Sequence, residues 1–213
     1  MNVQPAETTL YSLSNATPGA PEERRQGDRL MTLYRVGSLN IAGRRELCLI
    51  RNISAGGMMV RAFCAIAEGT RLLVELKCGQ PIAGVVSWVR DIHVGISFDE
   101  PLDVIDILST SSEGPRPRLP RIEVSSFITL REGASIYRMR VCDISQGGLK
   151  VQCDAQLAPD SDVVVTLAGI EPQPGVVRWA RGDQMGVTFN RLLALPTLVE
   201  WLREQREFDS AGN

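Results

Sequence analysis

A nine-residue block occurs twice in this chain of 213 residues, and that repeat limits the possible folds more than any other feature. Asn52-Ile-Ser-Ala-Gly-Gly-Met-Met-Val60 is matched by Asp143-Ile-Ser-Gln-Gly-Gly-Leu-Lys-Val151, at an offset of 91 residues. A second pair, Gly84 to Phe98 and Gly175 to Phe189, keeps that offset: both read Gly-Val-Val-x-Trp-x-Arg and end in Gly-x-x-Phe. Unchanged spacing between two separated blocks argues that one domain was duplicated. Each copy, of roughly 80 to 90 residues, is just large enough to sustain its own core.

The segments between the blocks are short, rich in Val, Ile and Leu, and broken by glycine at close intervals, which is a strand pattern. Leu47 to Ile53, Gly57 to Phe63, Leu72 to Lys77 and Ile82 to Val89 are examples. About six strands per copy with few helical stretches predict an all-β chain of two tandem antiparallel β-barrels, closed so that no sheet edge is exposed. Residues 1–21, rich in Ser, Thr, Pro and Ala, read as a flexible tail. Residues 22–108 form the first domain, 109–120 a Ser, Gly and Pro-rich linker, and 121–208 the second domain. A short flanking helix is expected over Leu102 to Leu108. Leu192, Leu195, Leu198, Val199 and Leu202 have the spacing of an amphipathic C-terminal helix, with Pro196 tolerated in its first turn. Trp88 and Trp179 alternate with Val86 and Val177, which places them on a buried face as core or rim residues.

Composition excludes several classes of function. One histidine, His93, falls between two strand segments and reads as a hairpin residue; no Ser-His-acid set and no phosphate-binding GxxxxGK loop accompanies it, so no enzyme is expected. The five cysteines (48, 64, 78, 142, 153) form no CxxC pair, so neither a disulfide framework nor a metal site is expected. No apolar run reaches membrane-spanning length and no signal pattern opens the chain, so the expectation is a cytoplasmic protein without membrane insertion. Aromatic residues are only 5% of the chain and do not interleave with basic ones, which disfavours a single-strand nucleic-acid-binding barrel.

The basic residues are 21 arginines and two lysines, and the net charge is -2. Between Arg24 and Arg51 seven arginines face two acids, a local excess of positive charge suited to a compact polyanion. Glu23-Arg-Arg-Gln-Gly-Asp-Arg29 holds an RxxxR pair at Arg25 and Arg29, followed by Asn52-x-Ser54-x-x-Gly57. Together these resemble the two-part signature of the PilZ domain family, RxxxR and then [D/N]xSxxG. The resemblance covers Glu23 to Leu108 and, less completely, Arg116 to Arg206.

The resemblance implies a receptor for cyclic di-GMP, with no cofactor and no catalytic residue. Arg25 and Arg29 would be a loop that closes over the ligand, and Asn52, Ser54 and Gly57 the facing surface. Arg24, just before the pair, is associated in such proteins with a stacked pair of nucleotides. Arginine suits this ligand, because its planar fork pairs with phosphate or with guanine O6 and N7 and its flat face stacks on the base. In the second copy Asp143, Ser145 and Gly148 are kept, but the offset carries Arg25 onto Arg116 and Arg29 onto Pro120. The nearest arginine, Arg121, is out of step by one residue. That copy is expected to serve docking to a downstream protein, self-association or signal relay, with Arg121, Asp143, Ser145 and Gly148 as a weak second site. Two alternatives stay open: a PilZ-like interaction module that binds no nucleotide, and the single-strand-binding barrel.

Overall fold

A computed structural model of the chain describes residues 31–76, 81–104, 119–152, 154–155 and 157–211. It contains two closed six-stranded antiparallel barrels and one long helix. In barrel one the strands run β1 (Met31–Ile41), β2 (Arg44–Ser54), β3 (Gly57–Ala62), β4 (Arg71–Glu75), β5 (Pro81–Arg90) and β6 (His93–Phe98). Their order around the barrel is β1-β2-β3-β6-β5-β4, closed by β4 pairing with β1. Barrel two repeats this order with β7 (Ile122–Glu132), β8 (Ser135–Ser145), β9 (Gly148–Gln152), β10 (Asp162–Thr166), β11 (Gln173–Arg181) and β12 (Gln184–Phe189). The helix α1 (Leu195–Ala211) follows.

Alternation builds the cores. Met58, Val60 and Ala62 of β3 point inward, joined by Leu39, Ile50, Val74, Val86, Val94 and Ile96. Leu102 and Asp103, expected to open the flanking helix, are not helical, and Val104 is buried in this core; residues 105–108 of that helix, most of the expected linker and the N-terminal tail lie outside the described residues. Barrel two packs Ile128, Leu130, Met139, Val141, Val165 and Val187 with Leu198, Trp201 and Leu202 of α1. The helix therefore closes one end of barrel two. Pro196 sits in its first turn as the spacing predicts, but Leu192 lies outside it and is 64% exposed. Trp201, absent from the aliphatic stripe, is the largest side chain the helix buries.

The two tryptophans differ from expectation for a clear reason. Pairing slips between Val86 and Trp88, and between Val177 and Trp179. Each slip is a β-bulge, which turns the next side chain to the opposite face. Trp88 and Trp179 are half-buried on the outside of their barrels, each lying on a cross-strand glycine. A Cβ on Gly95 would sit 2.0 Å from Trp88 Nε1, and one on Gly186 would sit 2.1 Å from Trp179 Nε1. His93 is the first residue of β6, one step past the Asp91-Ile92 turn.

The barrels dock through the outer face of the β1–β2 hairpin. Leu47, outward-facing on β2, is only 3% exposed because it joins the core of barrel two, and Val36 packs beside it. Arg206 of α1 donates from Nη1 to both carboxylate oxygens of the buried Glu46, at 2.6 and 2.7 Å, and from Nη2 to the Arg45 carbonyl at 3.1 Å. Arg45 Nη1 donates in turn to the Arg121 carbonyl at 3.2 Å. An ion pair of this kind defines orientation more than it adds stability, but removing Arg206 leaves the buried Glu46 carboxylate to the exposed Arg44, whose Nε lies 3.0 Å from Oε1. Arg206→Ala should lower unfolding stability by about 2 kcal/mol, read from denaturant titration, while Arg203→Ala on the exposed side of α1 should change it by less than about 0.5 kcal/mol.

Two thiols near this joint are held protonated. Burial pushes Cys48 up to about 12, and burial together with the Glu46 carboxylate pushes Cys64 up to about 11, from an ordinary 9.0. The unfolded chain releases these protons at lower pH than the folded one. Their contribution is therefore complete below pH 9.0 and is lost as pH rises toward 11 and 12. The denaturation midpoint should fall between about pH 8 and about pH 10.5, and Cys48→Ala should flatten that slope.

Candidate ligand-binding surface

The Asn-x-Ser-x-x-Gly motif forms the tight turn from β2 into β3. Ser54 pairs with Gly57, leaving Ala55 and Gly56 as the loop. Ser54 Oγ donates to the Gly57 carbonyl at 3.1 Å, so the hydroxyl closes the turn it belongs to. The segment after β6 braces it from outside: Phe98 N donates to Gly56 O at 3.0 Å and Leu102 N to Ala55 O at 2.8 Å. Gly57 is needed for close approach, since a Cβ there would lie 2.4 Å from the Ile96 carbonyl oxygen.

Asn52 lies at a bulge, where pairing slips between Ile50 and Asn52. Its Oδ1 accepts from Met59 N at 3.2 Å. A backbone N–H can only donate, so the amide oxygen must face Met59 and the NH2 group carries the remaining hydrogen-bonding capacity. Asn52 thus presents donors, which match phosphate oxygens or guanine O6 and N7. One register row crosses the outer face here: Thr32 pairs with Asn52, Asn52 with Met59, Met59 with Gly95, and Gly95 with Trp88. Trp88, assigned to core or rim from its alternation with Val86, therefore shares the face of Asn52, with the Arg90 guanidinium 5.3 Å from its ring. The bulge that puts it there leaves no mark in the sequence.

The structure brings Asn52, Ser54 and Gly57 together. Arg24, Arg25 and Arg29 lie outside the described residues, but Met31, two positions after Arg29, pairs with Ile53.

In barrel two the same turn recurs, and its surface is filled. Ser145 Oγ donates to Gly148 O at 3.1 Å, and a Cβ on Gly148 would meet the Val187 carbonyl at 2.1 Å. Asp143, opposite Lys150 in the ladder, has Arg121 Nη1 on Oδ1 at 2.5 Å and Lys150 Nζ 3.4 Å from Oδ2. Both oxygens of this largely buried carboxylate are matched by cations of the same barrel. Leu119 and Leu192 lie over Gly147 at the turn. Arg121, Asp143, Ser145 and Gly148 are thus together, with the arginine serving the aspartate. The one-residue displacement of Arg121 is the sequence signal of that pairing, and Lys150, which the sequence reading did not single out, completes it.

Among the described residues no three His, Cys, Asp or Glu side chains are grouped as metal ligands, and no helix is long and apolar enough to cross a membrane.

The PilZ domain family matches residues 23–109 and again 115–203. The chain belongs to the PilZ family. Solved structures similar to it include PlzA of Borreliella burgdorferi in complex with c-di-GMP, at 11% identity over 84% of this chain and 93% of that one, with a TM-score of 0.34. The motility inhibitor MotI/DgrA of Bacillus subtilis is 14% identical over 83% and 99%, with a TM-score of 0.33. YcgR of Escherichia coli in complex with c-di-GMP is 16% identical over 84% and 89%, with a TM-score of 0.29. No curated protein matches the chain in sequence. At such identities and scores the family match places this PilZ chain, and the structural likenesses add nothing to it.

Gly57→Ala should be costly in this PilZ fold because strand backbone, not a mobile side chain, occupies the space. A loss of about 1–3 kcal/mol is expected by thermal or chemical denaturation, against almost none for Gly56→Ala, where a Cβ meets nothing within 4 Å.

Proposed function

We propose that this PilZ protein is a receptor for cyclic di-GMP, and that barrel one binds it between the arginines of residues 24–29 and the surface of Asn52, Ser54 and Gly57. The observation that carries the reading is the register of β1 on β2. Met31 opposite Ile53 and Thr32 opposite Asn52 bring the chain that follows Arg29 into the barrel beside the motif turn. The choice of ligand rests on the PilZ family match together with the Arg25, Arg29, Asn52, Ser54 and Gly57 pattern. Asn52 contributes donors through its NH2 group, Gly57 lets the strands approach closely, and the arginines supply charge and stacking.

Barrel two reads best as an interaction module, because Arg121 and Lys150 already satisfy the carboxylate a nucleotide would contact. Signal transfer has a short route: β2 carries Asn52 and Ser54 at one end and the Glu46 and Leu47 docking contacts toward the other. A receptor role needs no catalytic group. As a sensor of a second messenger, the protein acts in the cytoplasm.

Calorimetric titration with cyclic di-GMP tests this. The parent should bind at one barrel; Arg25→Ala, Arg29→Ala and Asn52→Ala should each weaken binding by about tenfold or more, and Arg121→Ala by less than about twofold. A parent that releases no heat and shifts no melting temperature with the ligand would overturn the receptor reading and leave the interaction module.

A further inference from the structure

The outer face of the β1–β2 hairpin has a counterpart in barrel two whose chemistry is quite different. The offset of 91 sets Val36, Leu47 and Leu49 against Phe127, Arg138 and Arg140, and Asn40 and Arg45 against Arg131 and Ile136. In barrel one this face is an interface, with Leu47 3% exposed and Ser38 1% exposed. In barrel two it is open, with Phe127 57% and Ile136 67% exposed. The Arg138 guanidinium lies 4.4 Å from the Phe127 ring, and Arg140 donates to the Ser125 hydroxyl on the same face. The outward positions from Phe127 to Arg140 hold three arginines and no acid. A sheet face with exposed apolar side chains among arginines has the composition of a protein interface core.

The complementary chemistry is on α1. One side of the helix, through Val199, Leu202 and Arg206, already covers the equivalent face of barrel one. Glu200 is exposed and paired with Arg203 at 2.5 Å, Glu204 is half-buried beside Gly169, Glu207 is exposed at the rim of the groove against barrel one, and Phe208 is 74% exposed. The helix is also next to the basic ribbon: Ser126 Oγ donates to Gln205 Oε1 at 2.6 Å, and Leu202 and Arg206 share a cleft with Ser125 and Arg140. One molecule thus has a basic apolar ribbon and an acidic apolar helix edge on neighbouring elements. Two such surfaces can satisfy each other reciprocally about a two-fold axis, which closes the assembly.

We propose that a second copy of this chain docks on the outer face of the β7–β8 ribbon, presenting the acidic outer edge of its own α1 to Arg131, Arg138 and Arg140, to form a symmetric dimer.

Light scattering on the full chain during size-exclusion chromatography tests this with two charge reversals. One variant carries Arg138→Glu with Arg140→Glu, and the other Glu204→Arg with Glu207→Arg. The parent should run at twice the single-chain mass of 23.4 kDa and shift toward the single mass as salt is raised. Each variant alone should run at the single mass. Their equimolar mixture should return to the doubled mass, because both reciprocal contacts again pair opposite charges, and that recovery also shows that both variants fold. A parent of single mass at all concentrations, a variant that still doubles alone, or a mixture that stays single would overturn the proposal. So would a single-mass parent that binds labelled oligothymidylate through Arg138 and Arg140, which would assign the face to nucleic acid.

Discussion

Closure of each sheet on itself is the constraint from which the rest follows. Once β4 pairs with β1 and β10 with β7, neither barrel has an edge strand left to offer. The interiors are narrow and filled by side chains such as Leu39, Ile50 and Val60, or Leu130, Met139 and Val187. Recognition in such a molecule is carried by outward-facing side chains, strand-end turns and barrel ends. The motif turn, the docking hairpin and the arginine ribbon are all of these kinds.

Duplication then made one scaffold serve different ends. Equivalent positions keep their backbone and change their chemistry. Asn52 opposite Met59 needs no counter-charge, whereas Asp143 opposite Lys150 needs one and has it, with Arg121 as a second. The hairpin of barrel one has Leu47 and Leu49 where barrel two has Arg138 and Arg140, and it is buried while that of barrel two stays open. The turn itself, with its serine hydroxyl on the glycine carbonyl and its glycine against a neighbouring carbonyl, is the same in both. What is shared is what the fold requires, and what differs is what each barrel contacts.

The parts legible in the sequence are those fixed by local periodicity. Six strands per copy, the tight turn and the first-turn proline of α1 all follow from alternation, glycine spacing and the 91-residue repeat. The face occupied by Trp88 and Trp179 was not legible, because a bulge changes pairing without changing residue type. Leu47 resembles any strand leucine, and only the docked second barrel shows that its burial comes from outside its own core. Trp201 lies off the aliphatic stripe that marks the helix, and Leu192, which shares its spacing, belongs to the approach to the helix. Of the candidate ligand surface, Asn52, Ser54 and Gly57 were readable as a turn, but the amide orientation that makes Asn52 a donor depends on its partner across the ladder, seven residues away.

The Asp143 and Lys150 pair also bears on how the two copies can change. Moving from the neutral arrangement to the charged one requires substitutions on two strands. An aspartate arriving first would face a methionine but still have Arg121 on Oδ1, whereas a lysine arriving first would face an asparagine with no charge to match it. The lysine-first intermediate carries a partly buried, uncompensated ion and is the less stable for it. Once both residues are in place, the same penalty stands in the way of return. The order of change is thereby constrained: an aspartate beside Arg121 can precede the lysine, but loss of the aspartate from the completed set would leave both cations without it, and the divergence, once made, is held in place by electrostatics.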